Sequence, residues 1–246
     1  MTDKMTIALI TGANKGIGHA IAAGLADRGM TVLVGARDPE RREAAVERLR
    51  AAGGDVHGIT VDVTAAGTIA MAADEIAARY GRLDVLVNNA GITGDERQIP
   101  GAGPEVPAEV RRVFETNVFG AIAVTEAMLP LLLRSPAGRV VNVSGRGGSL
   151  TAMATPDGEF ADLPALLGYP ASKAALNAVT TQYAKHLRGN GILVNAVCPG
   201  HTATEGNGFS GDRTVEQGAA IAVRMATLGE DGPTGAFVDE NGPIPW

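Results

Sequence analysis

Tyr169 and Lys173 stand four residues apart in Tyr169-Pro170-Ala171-Ser172-Lys173. That spacing puts a phenol and an ammonium on one face of a helix, where both can act on the same small molecule. A tyrosine with its ordinary pKa of about 10 donates poorly at neutral pH, but a nearby cation favours the phenolate and lowers that value. The pair is therefore a candidate general acid and base. Spacing alone also fits two side chains on a solvated helix, so the weight falls on what the rest of the chain places around them.

The first such element is a buried-strand run, Ile7 to Ile10, followed at once by Gly12, Gly16 and Gly18 and then by a helical pattern reaching Gly29. Glycines let the backbone approach a pyrophosphate, and the N–H groups of a helix start point at it. The spacing Thr-Gly-x-x-x-Gly-x-Gly differs from the six-residue dinucleotide fingerprint, and a tight turn without a ligand is the alternative. A second strand, Thr31 to Gly35, runs into Ala36-Arg37. Asp38 and Pro39 then read as the cap and first residue of a helix ending near Ala52. An NAD site usually places a carboxylate at this strand end to hold the ribose. Alanine and arginine stand there instead, so Arg37 and Lys15 are expected to hold a 2′-phosphate, which selects NADP(H). Two solvated cations are the competing reading, and Asp38 is close enough to leave NAD open.

A third strand is expected over Val56 to Val63, with Asp62 placed to accept from an adenine amino group and Thr64 to cap the helix that reaches Tyr80. The strand Leu83 to Val87 delivers Asn88-Asn89-Ala90-Gly91, by itself an ordinary turn. One helix is expected over Ala108 to Leu133. It contains Asn117, which is either exposed or holds a water or bends the helix near the site. Arg139 to Val143 forms a strand that ends in Ser144-Gly145-Arg146-Gly147-Gly148-Ser149, and Leu150 to Gly168 shows little periodicity. The Tyr169 helix runs to about Gly189, and the strand Ile192 to Val197 ends in Cys198-Pro199-Gly200. The polar stretch His201 to Gly211 reads as a mobile flap with His201 on its surface. A last helix near Thr214 to Leu228 precedes an edge strand at Gly235 to Val238, and Trp246 is expected to pack.

Strands alternating with helices at this rhythm imply a single α/β domain over residues 1–246, a doubly wound Rossmann fold with a parallel sheet of about seven strands. Substrate loops are expected near 91–107, 145–168 and 200–213, at the carboxyl edge where open sheets bind ligands. Hydrophobic residues make up 45% of the chain, enough for one large core, and the net charge of −6 is scattered along the helices with no basic stripe for nucleic acid. Cys198 is the lone cysteine, so no internal disulfide can form, and its apolar surroundings favour packing over a nucleophilic role. Met1 to Thr6 is polar, and no apolar run is long enough to span a bilayer. The expectation is a soluble cytoplasmic protein, and no metal is assigned.

In combination these motifs resemble the classical short-chain dehydrogenase/reductase family over nearly the whole chain. They occur in family order: Thr11-Gly12-Ala13-Asn14-Lys15-Gly16-Ile17-Gly18, Asn88-Asn89-Ala90-Gly91, Asn117, the Ser144 strand end, Tyr169 with Lys173, and Pro199-Gly200. The resemblance implies a nicotinamide enzyme that reduces a carbonyl, with Tyr169 protonating the carbonyl oxygen. It gives Lys173 the nicotinamide ribose and the tuning of the tyrosine, and Asn117 a proton-relay water. It assigns cofactor contacts to Gly12, Asn14, Lys15, Gly16, Ile17 and Gly18, to Arg37, Asp62 and Val63, and to Asn89, Ala90 and Gly91. Pro199, Gly200, Thr202 and Thr204 complete that set.

Two departures from the family pattern stand out. Where members carry Val-Asn-Val-Ser-Ser, whose second serine donates to the substrate oxygen, this chain reads Val141-Asn142-Val143-Ser144-Gly145. Ser144, Ser149 or a substrate group could take that role. Gly145 and Tyr169 are 24 positions apart, nearly twice the usual separation, as in the monomeric carbonyl reductases. A monomer or weak dimer is expected on that resemblance. The leading expectation is an NADPH-dependent carbonyl reductase; imine reduction on the same scaffold and a non-catalytic NADP(H)-sensing module are the alternatives.

Overall fold

The computed structural model describes residues 5–246; Met1 to Lys4 of the polar N-terminal stretch lie outside the described residues. The chain alternates strand and helix: β1 (Ile7–Thr11), α1 (Gly16–Ala26), β2 (Thr31–Ala36), α2 (Pro39–Ala51), β3 (Val56–Thr60), α3 (Ala66–Tyr80) and β4 (Val85–Asn88). Its second half continues with α4 (Val106–Phe114), α5 (Gly120–Leu132), β5 (Arg139–Val143), α6 (Leu150–Ala154), α7 (Tyr169–Leu187), β6 (Leu193–Val197) and α8 (Val215–Ala226), and closes with β7 (Phe237–Asp239) and β8 (Gly242–Pro243). The sheet order is β3-β2-β1-β4-β5-β6-β7-β8, parallel throughout except for the antiparallel β7–β8 pair.

The strands are apolar on both faces because helices cover both. In β1, Ala8 and Ile10 face the layer of α1, α2 and α8 with Ile21, Val46 and Ile221. Ile7 and Leu9 face the layer of α3, α5 and α7 with Ile76, Met128 and Leu187. Strand order reverses between β1 and β4, so the loops leaving those two strands diverge and open a crevice at the carboxyl edge.

A row of buried polar side chains crosses the second half of the sheet. Asn88 Nδ2 donates to Thr125 Oγ1 and to Asn142 Oδ1, both at 2.9 Å, and Asn142 Nδ2 donates to Thr180 Oγ1 at 2.8 Å. The two threonines pass the chain on to the Ala121 and Leu176 carbonyls of their own helices. Four elements that the apolar core could let slide are thereby fixed in register.

Several boundaries differ from the sequence reading. β3 stops at Thr60, so Asp62 and Val63 lie in the turn beyond it. Thr64 does not cap α3: its N–H and hydroxyl both go to Asp62 Oδ1, at 2.9 and 2.7 Å, and Ala65 precedes the helix without a side-chain cap. The single helix expected over 108–133 is three pieces, α4, a π turn over Glu115–Phe119, and α5. The strand expected at the edge is β7, displaced inward because β8 folds back outside it, which brings the sheet to eight strands. Asp38 caps α2 as expected, accepting from Arg41 N at 3.0 Å with Pro39 first in the helix. Trp246 stacks on buried Phe237 with ring centroids 5.6 Å apart. At the far edge, Arg50 of α2 donates to the outward-facing Val56 carbonyl of β3 at 2.7 Å.

Replacing Asn142 by leucine, which is branched alike but cannot hydrogen-bond, takes one of two partners from Asn88 Nδ2 and one of two from Thr180 Oγ1. Each buried hydrogen bond lost costs about 0.5–1.5 kcal/mol, so the urea midpoint should fall accordingly. An unchanged midpoint would show that the polar row adds nothing.

Candidate active site

The crevice is built from strand ends. Thr11 closes β1, and its hydroxyl accepts the N–H groups of Asn89 and Ala90, each at 3.0 Å. The Asn89 side chain donates back to the Thr11 and Gly12 carbonyls at 2.9 and 3.2 Å, so its amide holds the glycine turn against the β4 loop. The fit leaves no room: a Cβ on Gly12 would stand 3.0 Å from Ala90 Cα, and one on Gly18 2.4 Å from Asn89 Nδ2. Gly12 and Gly16 have φ of +65° and +56°, values that favour glycine. Ile17 packs from α1 onto the core, and Val63 lies buried beneath Gly120.

Outside the turn lies a cavity of about 330 Å³ lined by Asn14, Lys15, Arg37, Asp38 and Arg41. Three cations ring it against one carboxylate, and Arg37 is exposed and makes no ion pair among the described residues. Lys15 pairs with Glu205 at 2.6 Å. Glu205 follows Thr204, whose methyl is 3.7 Å from where a Gly16 Cβ would sit, so the segment after β6 reaches across the glycine turn. That segment is internally bonded. Thr202 is buried and donates to the Pro199 carbonyl at 3.2 Å, Asn207 donates to the Thr202 carbonyl at 2.9 Å, and Thr202 bridges to Arg213, which crowds Gly200. His201 is exposed on it, in keeping with a surface role. Asp62 lies half-buried at the rim, its carboxyl held below the usual range first by the Thr64 N–H and then by the Thr64 hydroxyl.

The candidate proton donor lies at the start of α7. α7 begins at Tyr169, and its hydroxyl is 3.1 Å from the position a Cβ would take on Gly145, just past β5. One turn on, Lys173 is buried and donates from Nζ to the Val143 carbonyl at 2.9 Å. Asn117, buried in the π turn, has every amide atom engaged. Oδ1 accepts from Ile92 N at 2.8 Å, and Nδ2 donates to the Ile92 carbonyl at 2.9 Å and to Ser172 Oγ at 3.0 Å. Ser172 in turn donates to the Tyr169 carbonyl at 2.7 Å. Gly91 passes between them, with Asn117 Oδ1 and Lys173 Nζ 3.3 and 3.5 Å from where its Cβ would be.

Burial pushes the Tyr169 phenol up to about 12 and pulls the Lys173 ammonium down to about 8. The expectation that the lysine lowers the phenol is therefore not met by these residues alone. Nζ is directed at a carbonyl and lies 5.6 Å from the centre of the tyrosine ring, and desolvation is the leading cause of both shifts. Cys198 is buried, with its thiol pushed up by burial, which matches a packing role.

The two serines near Gly145 are both occupied. Ser144 is buried and donates to the Lys173 carbonyl at 3.4 Å; Ser149 is buried, caps α6 through Ala152 N and donates to the Pro245 carbonyl at 2.6 Å.

Sequence reasoning missed the residues that brace the tyrosine. Gln98 is buried in the 91–107 loop. Its Oε1 accepts from Tyr169 N at 2.8 Å, its Nε2 donates to the Thr93 carbonyl at 2.7 Å, and its own carbonyl accepts from Leu167 N at 2.9 Å. It thus caps the start of α7 and joins the two loops that flank it. Glu109, buried in α4, accepts from Asp95 N at 3.0 Å and is held below the usual carboxylate range first by its hydrogen bonds from Arg112. A glutamine in an aperiodic loop and a glutamate in an amphipathic helix carry no signal of either role.

Comparison with known proteins identifies the family. The family model for short chain dehydrogenases matches residues 6–214. Short-chain dehydrogenase/reductase 1 of Saponaria officinalis is 33% identical, with 97% of this chain and 95% of that protein covered. Salutaridine reductase of Papaver bracteatum is 34% identical over 96% and 94%. The solved structure of NADPH-bound carbonyl reductase from chicken fatty liver superposes with a TM-score of 0.84 at 26% identity, covering 98% of each chain.

The Lys173 shift has a readable consequence. Its pKa is depressed from 10.5 to about 8, so between those values the unfolded chain binds the extra proton and stability rises with pH. Denaturation of the unliganded protein should show this rise, and Lys173→Met should remove it. Parallel pH profiles for the two proteins would contradict the assignment.

Proposed function

Because this chain belongs to the short-chain dehydrogenase family and is an NADPH-dependent oxidoreductase of carbonyl substrates, we propose that it reduces a ketone or aldehyde with Tyr169 as proton donor. The observation that carries this reading is that Asn117 and Lys173 flank Gly91 while Asn117 is linked through Ser172 to the Tyr169 turn, at the carboxyl end of the sheet. A sensing module would have no use for a buried lysine and a braced phenol.

The residues present fit a phosphorylated dinucleotide. The left-handed Gly12 and Gly16 open the turn for close backbone approach, and Lys15, Arg37 and Arg41 surround the adjoining cavity with positive charge. Arg37 and Lys15 would hold the 2′-phosphate, Lys15 by exchanging its Glu205 partner. Asp62 would reach the adenine, and Gly91, Pro199, Gly200 and Thr204 would line the path to the nicotinamide end.

When bound, the nicotinamide supplies hydride to the carbonyl carbon. Tyr169 Oη gives its proton to the carbonyl oxygen, and the phenolate it leaves is stabilised by the Lys173 cation, which the Val143 carbonyl keeps in place. Asn117 positions the pair through Ser172 and holds Ile92 at the wall of the crevice.

The same reading includes substrate entry between the loops 91–107, 145–168 and 200–213. It also includes a monomer or weak dimer, supported by the length of the segment between α6 and α7, and action in the cytoplasm, supported by the single buried cysteine. No helix among the described residues is long and apolar enough to cross a membrane.

NADPH should bind at least tenfold more tightly than NADH, about 1.4 kcal/mol, and Arg37→Ala should remove most of that preference; equal affinities in the parent protein, measured by titration calorimetry, would refute the phosphate assignment. Tyr169→Phe should lower kcat by roughly 10²–10⁴ with NADPH affinity retained. Near-parental turnover on any accepted ketone would dismiss the tyrosine as proton donor.

A further inference from the structure

Gly145 occupies the position from which the carbonyl oxygen would be expected to receive its second hydrogen bond, and nothing in the backbone calls for glycine there. Its φ and ψ are −166° and 156°, extended values open to any residue. The three atoms nearest to a Cβ built on it all belong to the Tyr169 phenol: Oη at 3.1 Å, Cζ at 3.9 Å and Cε1 at 4.0 Å. What glycine does at this position is leave the flank of the tyrosine hydroxyl open.

No neighbouring donor turns into that space. Ser144 Oγ is directed at the Lys173 carbonyl and Ser149 Oγ at the Pro245 carbonyl. The Arg146 guanidinium is held between Glu159 and Asp239, and the Arg146 backbone N–H is directed at the Cys198 thiol. Ser172 is turned to the Tyr169 carbonyl and receives Asn117. Each is fixed by burial or by a charged partner, so bringing one into the space would break a bond already made.

A carbonyl becoming an alkoxide beside a single phenol lacks one donor, and a missing donor of this kind typically costs roughly 10²–10³ in rate. We infer that the substrate supplies it: the site is built for a ketone carrying its own hydroxyl, placed to close a six-membered hydrogen-bonded ring onto the carbonyl oxygen. β-Hydroxy ketones and ortho-hydroxyaryl ketones are of this class. The hydroxyl needs to come within about 2.7 Å of the carbonyl oxygen, and ring closure provides that without help from the protein. It occupies the volume that a Cβ and hydroxyl at residue 145 would have filled, so the absent side chain serves as a specificity pocket for the substituent. This inference rests on the carbonyl reductase reading.

The reaction balances as a two-electron reduction. The hydride pair from NADPH forms the new C–H bond, the carbonyl π pair passes to oxygen and takes the Tyr169 proton, and the products are the secondary alcohol and NADP⁺. The phenolate regains a proton from solvent. The substrate hydroxyl keeps its own proton and acts only as a hydrogen-bond donor.

The test compares ortho-hydroxyacetophenone, ortho-methoxyacetophenone and acetophenone with NADPH, with the alcohols measured by chromatography. The parent protein should show kcat/KM at least tenfold higher for the hydroxyl-bearing ketone than for either of the others. Gly145→Ser, which brings a hydroxyl but fills the space, should collapse or invert that ratio. Gly145→Ala fills the space without a donor and should slow the hydroxy ketone without rescuing the other two; NADPH binding confirms that both variants are folded. Equal kcat/KM on the three ketones, or a ratio that Gly145→Ser leaves unchanged, overturns this inference while the carbonyl reductase reading stands. Turnover of none of them by the parent protein, with NADPH bound, overturns the inference and counts against the reading beneath it.

Discussion

A buried amide must satisfy both its ends, and in this protein the amide of Asn117 does so by joining three segments distant in the chain. Its oxygen takes the Ile92 N–H and its nitrogen reaches the Ile92 carbonyl and the Ser172 hydroxyl. The first two bonds fix the loop leaving β4, and the third fixes the turn of α7 between Tyr169 and Lys173. A regular helix from α4 to α5 would carry residue 117 on a different heading. The π turn at Glu115–Phe119 is the local irregularity that accompanies this placement, as such turns often do at functional sites. Around this one side chain the crevice beside the glycine turn and the start of α7 come into a common frame.

Rigidity elsewhere serves the same end. The Asn88–Asn142 row ties α5 and α7 to adjacent strands, and Gln98 ties the start of α7 to the loop on the other side of the crevice. Gly148 lets the loop after β5 lie on α7, where a Cβ would come within 2.8 Å of the Lys173 carbonyl carbon. The start of α7 is therefore held from several sides by bonded structure, and Gly145 faces the Tyr169 hydroxyl without a side chain.

Much of this was legible in the sequence, for physical reasons that vary by residue. The buried strands announce themselves as apolar runs, and the glycine turn by a cluster of glycines directly after the first strand. Asp38-Pro39 reads as a helix start because a cap and a fixed φ leave little else for that pair to do. The edges were less legible. β8 is two residues long and has no periodicity to detect, and β3 stops early because the Asp62–Thr64 bonds turn the chain where its apolar run would have continued it. Gln98 and Glu109 act through tertiary hydrogen bonds that no local pattern encodes. The phenol's environment could not be read either: the Tyr-Lys spacing implies an attraction, whereas burial, a property of the folded chain, dominates both groups.

An open sheet ends in unpaired backbone groups that can recruit another chain, and aggregation begins most readily at long, flat edges. Here both ends are blunted. β8 spans only Gly242–Pro243, and proline offers no N–H to an incoming strand. On the opposite side the Arg50 guanidinium sits on the outward Val56 carbonyl, so an intruding strand would have to displace a charge-assisted bond to begin pairing. The sheet is thus closed to edge-to-edge growth by a stub and a cation, while its carboxyl edge stays open.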